Sequence, residues 1–153
     1  MKLELQNRLK NDFPYFEDGI VPNSPLATNG IECDDGWFML LHSFFHCIGQ
    51  QLKINVSPVM FLQIKEKYGM LTIYVKTSNN SIQGIIDAYS FMSMDVCEVC
   101  GTNTNVYCYK SKAGVFKCVC DVHKSPGAEI VNGYKQDLLK LVDPEQYCSN
   151  KKK

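Results

Sequence analysis

Tryptophan occurs once in this chain of 153 residues and histidine three times, and 16 basic residues against 16 acidic ones leave no net charge. Each shortage excludes something. A nonspecific nucleic-acid binder usually carries a basic excess, so the neutral total counts against DNA or RNA as the main partner and leaves room only for a local patch. Three histidines supply little for general acid–base chemistry. Neither a Walker loop nor a G-x-G-x-x-G fingerprint occurs, and the H-x-E…P-C-x-x-C pattern of zinc deaminases is missing. No run is apolar for long enough to span a bilayer. Residues 1–8, Met1-Lys2-Leu3-Glu4-Leu5-Gln6-Asn7-Arg8, lack the apolar stretch of a secretory signal. The expectation is a cytoplasmic protein with no membrane partner and no catalytic activity.

What is present is an apolar content of 45%, enough for a buried core, and eight cysteines. In a reducing compartment, cysteines point to metal or free thiols before disulfides. Cys97 and Cys100 form a C-x2-C pair, and after nineteen intervening residues Cys120 and His123 form C-x2-H. Two such knuckles, brought together by an intervening hairpin, are what a closed tetrahedral zinc site needs. Four protein ligands leave no open position for substrate, so the zinc is read as structural. Cys118 offers a competing ligand in Cys118-Val119-Cys120, and Cys108 remains a further alternative; the knuckle spacing favours Cys120. Cys33, Cys47 and Cys148 read as small buried residues or plain thiols. His42 and His46 stand four apart on a helix pattern, but Ser43 occupies the place a metalloprotease glutamate would take.

The periodicities predict an α+β fold, with helices packed on a small antiparallel sheet and a C-terminal zinc-ribbon-like module. A short amphipathic helix spans 2–11 and ends at Pro14; 18–32 reads as loop. Asp34 or Asp35 caps a helix over 36–52, with an apolar stripe of Trp37, Leu40, Leu41, Phe44, Phe45, Ile48 and Leu52. Residues 59–67 and 70–77 alternate as a hairpin about Tyr68-Gly69. Leu62, Ile64, Leu71, Ile73 and Val75 take one face, and Gln63, Lys65, Lys67, Thr72, Tyr74 and Lys76 the other. A helix over 81–93 follows, facing Ile82, Ile85, Ile86, Tyr89 and Met92 inward. The metal module has strands at Val106–Tyr109 and Val115–Val119, joined at Ser111–Gly114. Pro126-Gly127 reads as a linker to a helix over 133–142. The domain reading is a core of 1–95, a metal module of 96–125, and a helix within 126–150 packing back on the core.

Two polar clusters carry a capping or solvated reading and a binding one. Glu32, Asp34, Asp35 and Trp37 stand at a helix entry, where acidic residues favour the positive end of the dipole. Carboxylates beside an indole also suit ribose hydroxyls, exocyclic amines and base stacking. On the hairpin, Lys65, Lys67 and Tyr74 suit phosphate and base contacts. The candidate ligand residues are therefore Glu32, Asp35, Trp37, Lys65, Lys67 and Tyr74.

Three segments together resemble a family of small bacteriophage proteins. They are Ile31-Glu32-Cys33-Asp34-Asp35-Gly36-Trp37, Lys65-Glu66-Lys67-Tyr68-Gly69-Met70-Leu71-Thr72-Ile73-Tyr74, and Cys97-Glu98-Val99-Cys100-Gly101. The family motifs run I-E-C-G-D-G-W, K-E-K-F-G-x-L-R-F-Y and T-C-E-V-C-G, followed by L-C-x-x-C or L-C-x-x-H. Asp34 replaces the family's glycine, Thr72 its arginine, and Asp95-Val96 precede the first knuckle. The resemblance covers about 31–123. It implies a phage product in the cytoplasm of the bacterial host, carries no established activity, and supports Cys120 and His123 as the second knuckle. Three functions follow as expectations. One is a non-enzymatic binder that sequesters a host-made nucleotide immune signal, countering bacterial defence. Another is an adaptor or inhibitor of a host protein, and the third a nucleic-acid-binding accessory protein. A homo-oligomer is compatible with each.

Overall fold

A computed structural model describes residues 1–55 and 57–131. Helices α1 (Leu3–Asp12), α2 (Pro14–Asp18) and α3 (Pro25–Asn29) precede a 3-10 turn at Asp35–Trp37 and the long helix α4 (Phe38–Ile54). Strands β1 (Met60–Lys67) and β2 (Met70–Lys76) follow, then helix α5 (Asn80–Ser93) and strands β3 (Val106–Lys110), β4 (Phe116–Cys120) and β5 (Glu129–Ile130). The architecture is mixed helix and two small antiparallel sheets, ordered β1-β2 and β4-β3-β5.

The α4 stripe falls as its spacing requires. Phe38, Leu40, Leu41, Phe44, Phe45 and Ile48 are buried, and Phe45 stacks between Phe16 and Phe61. In α5, Ile82, Ile86 and Tyr89 are buried, and Asn79 caps the helix by accepting from the Ser81 N–H. Met92 is exposed, not inward.

The hairpin differs from strict alternation at one place. The register shifts between Phe61 and Gln63, so Leu62 is the extra residue. The bulge puts Phe61, not Leu62, on the buried face with Ile64, Leu71 and Ile73. Two single-residue parallel bridges, Ile20 to Phe61 and Glu32 to Lys65, cover the outer edge of β1. The 18–32 stretch is therefore not plain loop: it holds α3, capped by Ser24, and both bridges. Pro14 likewise opens α2 as well as closing α1, since its missing N–H is harmless at a helix start.

Pro126-Gly127 is not a spacer. It turns the chain so that β5 pairs with β3, through Tyr109–Ile130 and Lys110–Glu129. The helix expected over 133–142 and the tail lie outside the described residues. No helix among the described residues is long and apolar enough to cross a membrane.

Candidate metal centre and polar hairpin face

Cys97, Cys100, Cys120 and His123 converge, and their ligand atoms all lie within 4.8 Å of one another. The group could hold a metal ion. The Cys100 and Cys120 sulfurs are 3.9 Å apart, and His123 turns Nδ1 to Cys97 Sγ at 3.6 Å and to Cys120 Sγ at 3.2 Å. Local backbone builds each knuckle. Cys97 N–H donates to the Thr102 carbonyl, the Gly101 N–H to the Cys97 carbonyl, and the His123 N–H to the Cys120 carbonyl. Gly101 sits at φ +76°, which favours glycine. Burial pushes the Cys97 thiol up, but backbone N–H groups at Cys120, Cys100 and Val99 outweigh it and bring it down to about 6. A thiolate is the form that ligates metal. Behind the site, Tyr109 donates its hydroxyl to Asp121 at 2.6 Å.

Cys118 stays out of this group. It lies directly opposite Cys108 in the β3–β4 ladder, within a separate apolar cluster that includes Met94. His42 and His46 do not share a site either: His42 contacts Asp12 at 3.2 Å and His46 contacts Gln50.

The helix-entry segment docks on the first knuckle. Gly36 N–H donates to the Glu98 carbonyl at 2.8 Å, and Asp34 N–H donates to Glu98 Oε1 at 3.1 Å. Glu98 is 1% exposed and pairs with Lys117, whose Nζ lies 3.1 Å from Oε2 and 2.9 Å from Asp34 Oδ2. Burial raises the Glu98 carboxyl above its ordinary range, and Lys117 and the Asp34 N–H pull it partly back. Trp37 Nε1–H donates to the Val96 carbonyl at 2.9 Å. Thus Gly36, Glu98, Gly101 and Lys117 weld the metal module to the core. No local pattern in the sequence joins Gly36 to Glu98, Gly101 and Lys117, which lie 62 or more positions further along the chain.

The candidate ligand residues divide. Trp37 is 0% exposed, so its ring offers no stacking face; it is a core residue with a satisfied indole. Neither Asp34 nor Asp35 caps α4 with its side chain, since Trp37 is the α4 N-cap and Asp34 makes no cap bond to the 3-10 turn; Asp35 turns to Lys2 instead. It accepts from the Lys2 N–H at 2.7 Å and pairs with Lys2 Nζ at 3.2 Å, and these contacts with Lys2 hold its carboxyl below the usual range. Glu32, Lys65 and Tyr74 do meet on the solvent side of the hairpin. Gln63 donates to Glu32 Oε2 at 2.8 Å, and Lys65 Nζ stands 5.8 Å over the Tyr74 ring. Lys67, next on that face, stands over Tyr68. Comparison with protein families, curated proteins and solved structures finds no match for this chain.

Proposed function

We propose that this is a non-enzymatic binding protein that holds a nucleotide-like anion on the solvent face of its first hairpin and carries one structural zinc ion. The observation behind the binding reading is Lys65 over Tyr74. An aromatic ring and an ammonium in one patch offer a nucleotide partners for both things it presents, a base to stack and a phosphate to pair. The adjoining Glu32–Gln63 pair supplies acceptors for a hydroxyl or an exocyclic amine. The other face of the same hairpin is packed in the core, so the surface is rigid.

The donor set supports zinc. Bonds of about 2.3 Å to sulfur and about 2.0 Å to nitrogen give tetrahedral edges of roughly 3.5–3.8 Å. The separations of 3.9, 3.6 and 3.2 Å bracket that range. Four protein ligands fill the ion, so its contribution is to folding. The setting, a phage product that sequesters a host-made nucleotide immune signal in the bacterial cytoplasm, rests on the resemblance of the three motif segments.

A second reading, an adaptor for a host protein, is favoured by one feature. A groove of about 600 Å³ beside Cys100 is lined by Met39 and Met92, both exposed. Methionine surfaces repack on varied partners.

Native mass spectrometry of protein purified from bacteria mounting a nucleotide-signalling defence tests the first reading. One zinc mass plus a releasable ligand of a few hundred daltons supports it. Zinc without ligand moves the weight to the adaptor.

A further inference from the structure

The neutral total charge hides a local excess. Lys2, Arg8, Lys10 and Lys117 are matched by carboxylates. Lys65, Lys67 and Lys110 have no ion pair among the described residues, and each instead stands over an aromatic ring. Lys67 Nζ lies 5.6 Å from the Tyr68 ring and Lys110 Nζ 5.3 Å from that of Phe116. Those two rings belong to different hairpins, yet their centroids are 6.4 Å apart in an edge arrangement. The fold has thus assembled lysine–aromatic stations from β1, β2, the β1–β2 turn, β3 and β4.

We propose that the ligand of this surface is a single-stranded oligonucleotide, with Tyr68 and Phe116 as a second base-stacking station beyond Tyr74 and Lys67 and Lys110 pairing with its phosphates. The inference rests on the reading of the Lys65–Tyr74 face as a base-binding surface. Three features carry it. Lys65 and Lys67 are two residues apart on one strand face, about 6.6 Å along the strand, so charge repeats along a line. Tyr68 is 63% exposed and sits at φ +53°, a turn position where asparagine or glycine is the less strained choice. A bulky ring is held outward at that cost.

The stations are also fixed relative to each other. A Cβ on Gly69 would lie 3.1 Å from Cys118 Sγ and 3.3 Å from Cys108 Sγ. The turn carrying Tyr68 therefore rests directly on the strands carrying Lys110 and Phe116. A single nucleotide has one base and cannot use both stations. A strand of several nucleotides can, and sequence tolerance follows because every base has a stacking face. The carboxylate of Glu32 lies toward the Lys65 end, so the phosphates track toward Lys67 and Lys110.

The test is fluorescence anisotropy on zinc-loaded protein. The probe is a labelled oligothymidylate of about twelve nucleotides, with thymidine monophosphate as the mononucleotide. The oligonucleotide is expected to bind at least about tenfold more tightly than the monophosphate. Tyr68→Asn with Phe116→Leu, chosen to suit the turn and keep the packing, should erase that advantage while the monophosphate still binds at the Lys65–Tyr74 station. Lys110→Gln should lower the salt slope by about one. Equal binding of the two probes overturns the inference and leaves the nucleotide reading standing. So does wild-type oligonucleotide affinity in the double variant. If neither probe binds, both readings fall.

Discussion

Gly36 and Gly101 meet backbone to backbone. A Cβ on Gly101 would lie 2.8 Å from the Gly36 carbonyl oxygen, and one on Gly36 would lie 2.4–2.6 Å from three backbone atoms of residues 97, 98 and 101. Backbone cannot rotate away as a side-chain tip can. Gly36→Ala is therefore expected to cost about 3 kcal/mol or more, read as a lowered urea midpoint. Gly84→Ala, on the open face of α5 with nothing near its Cβ, should be neutral or slightly stabilising.

Lys117→Met should leave the Glu98 carboxylate buried without its cation, costing about 3 kcal/mol at neutral pH, somewhat less to the extent that Lys117 is partly exposed. The sign with pH follows from burial. The Glu98 carboxyl is raised in the folded state, and losing Lys117 raises it further. Its contribution is fully present below the unfolded value and is lost as pH rises through the folded one. The defect should thus shrink as pH falls from neutral toward the ordinary carboxylate range, and Glu98→Gln in the same chain should relieve most of it. Urea titrations of both variants across that range decide the point; a pH-independent defect would remove Glu98 as its cause.

Metal removal should unfold the module before the core. Cys97→Ser and Cys120→Ser are expected to lose metal and soluble yield together. Cys118→Ser, outside the four-residue group, should keep one ion per chain. Elemental analysis of the purified variants reads the stoichiometry, and a metal-free Cys118→Ser would redraw the ligand set.

Asp35 gives the opposite pH sign. Its carboxyl is held below the ordinary 3.8 by the Lys2 N–H first and the Lys2 ammonium after it. The stabilisation it supplies is present above the unfolded value and disappears as pH falls through the folded one. Asp35→Asn should lower Tm slightly at neutral pH, and the gap from wild type should narrow as pH falls below the ordinary 3.8.

The helices and the hairpin were legible because burial there follows period. Phe44, Phe45 and Ile48 recur at helical spacing, and Leu71 and Ile73 alternate. The Cys97, Cys100, Cys120 and His123 cluster, which could hold a metal, was legible because two short knuckles fix their own geometry. Leu62 was not, since a bulge is a property of the pairing and leaves no mark on one strand. Trp37 was ambiguous for another reason. An indole beside carboxylates looks the same in sequence whether it stacks on a ligand or donates to a backbone carbonyl 59 residues away. The Tyr68–Phe116 pair spans two hairpins, and no local pattern could join it.

The two bridges at Ile20 and Glu32 seal β1, and among the described residues the first sheet is left with a single edge that no strand pairs. Ser93 takes the Leu71 N–H at one end of β2. The ladder places the Ile73 and Val75 backbone groups facing away from β1. Growth is thereby vectorial. Any strand that joins this sheet, from a partner or from another copy, must enter beside α5 and read Ile73 to Val75, and a symmetric pair of chains would make one continuous four-stranded ribbon across a two-fold axis.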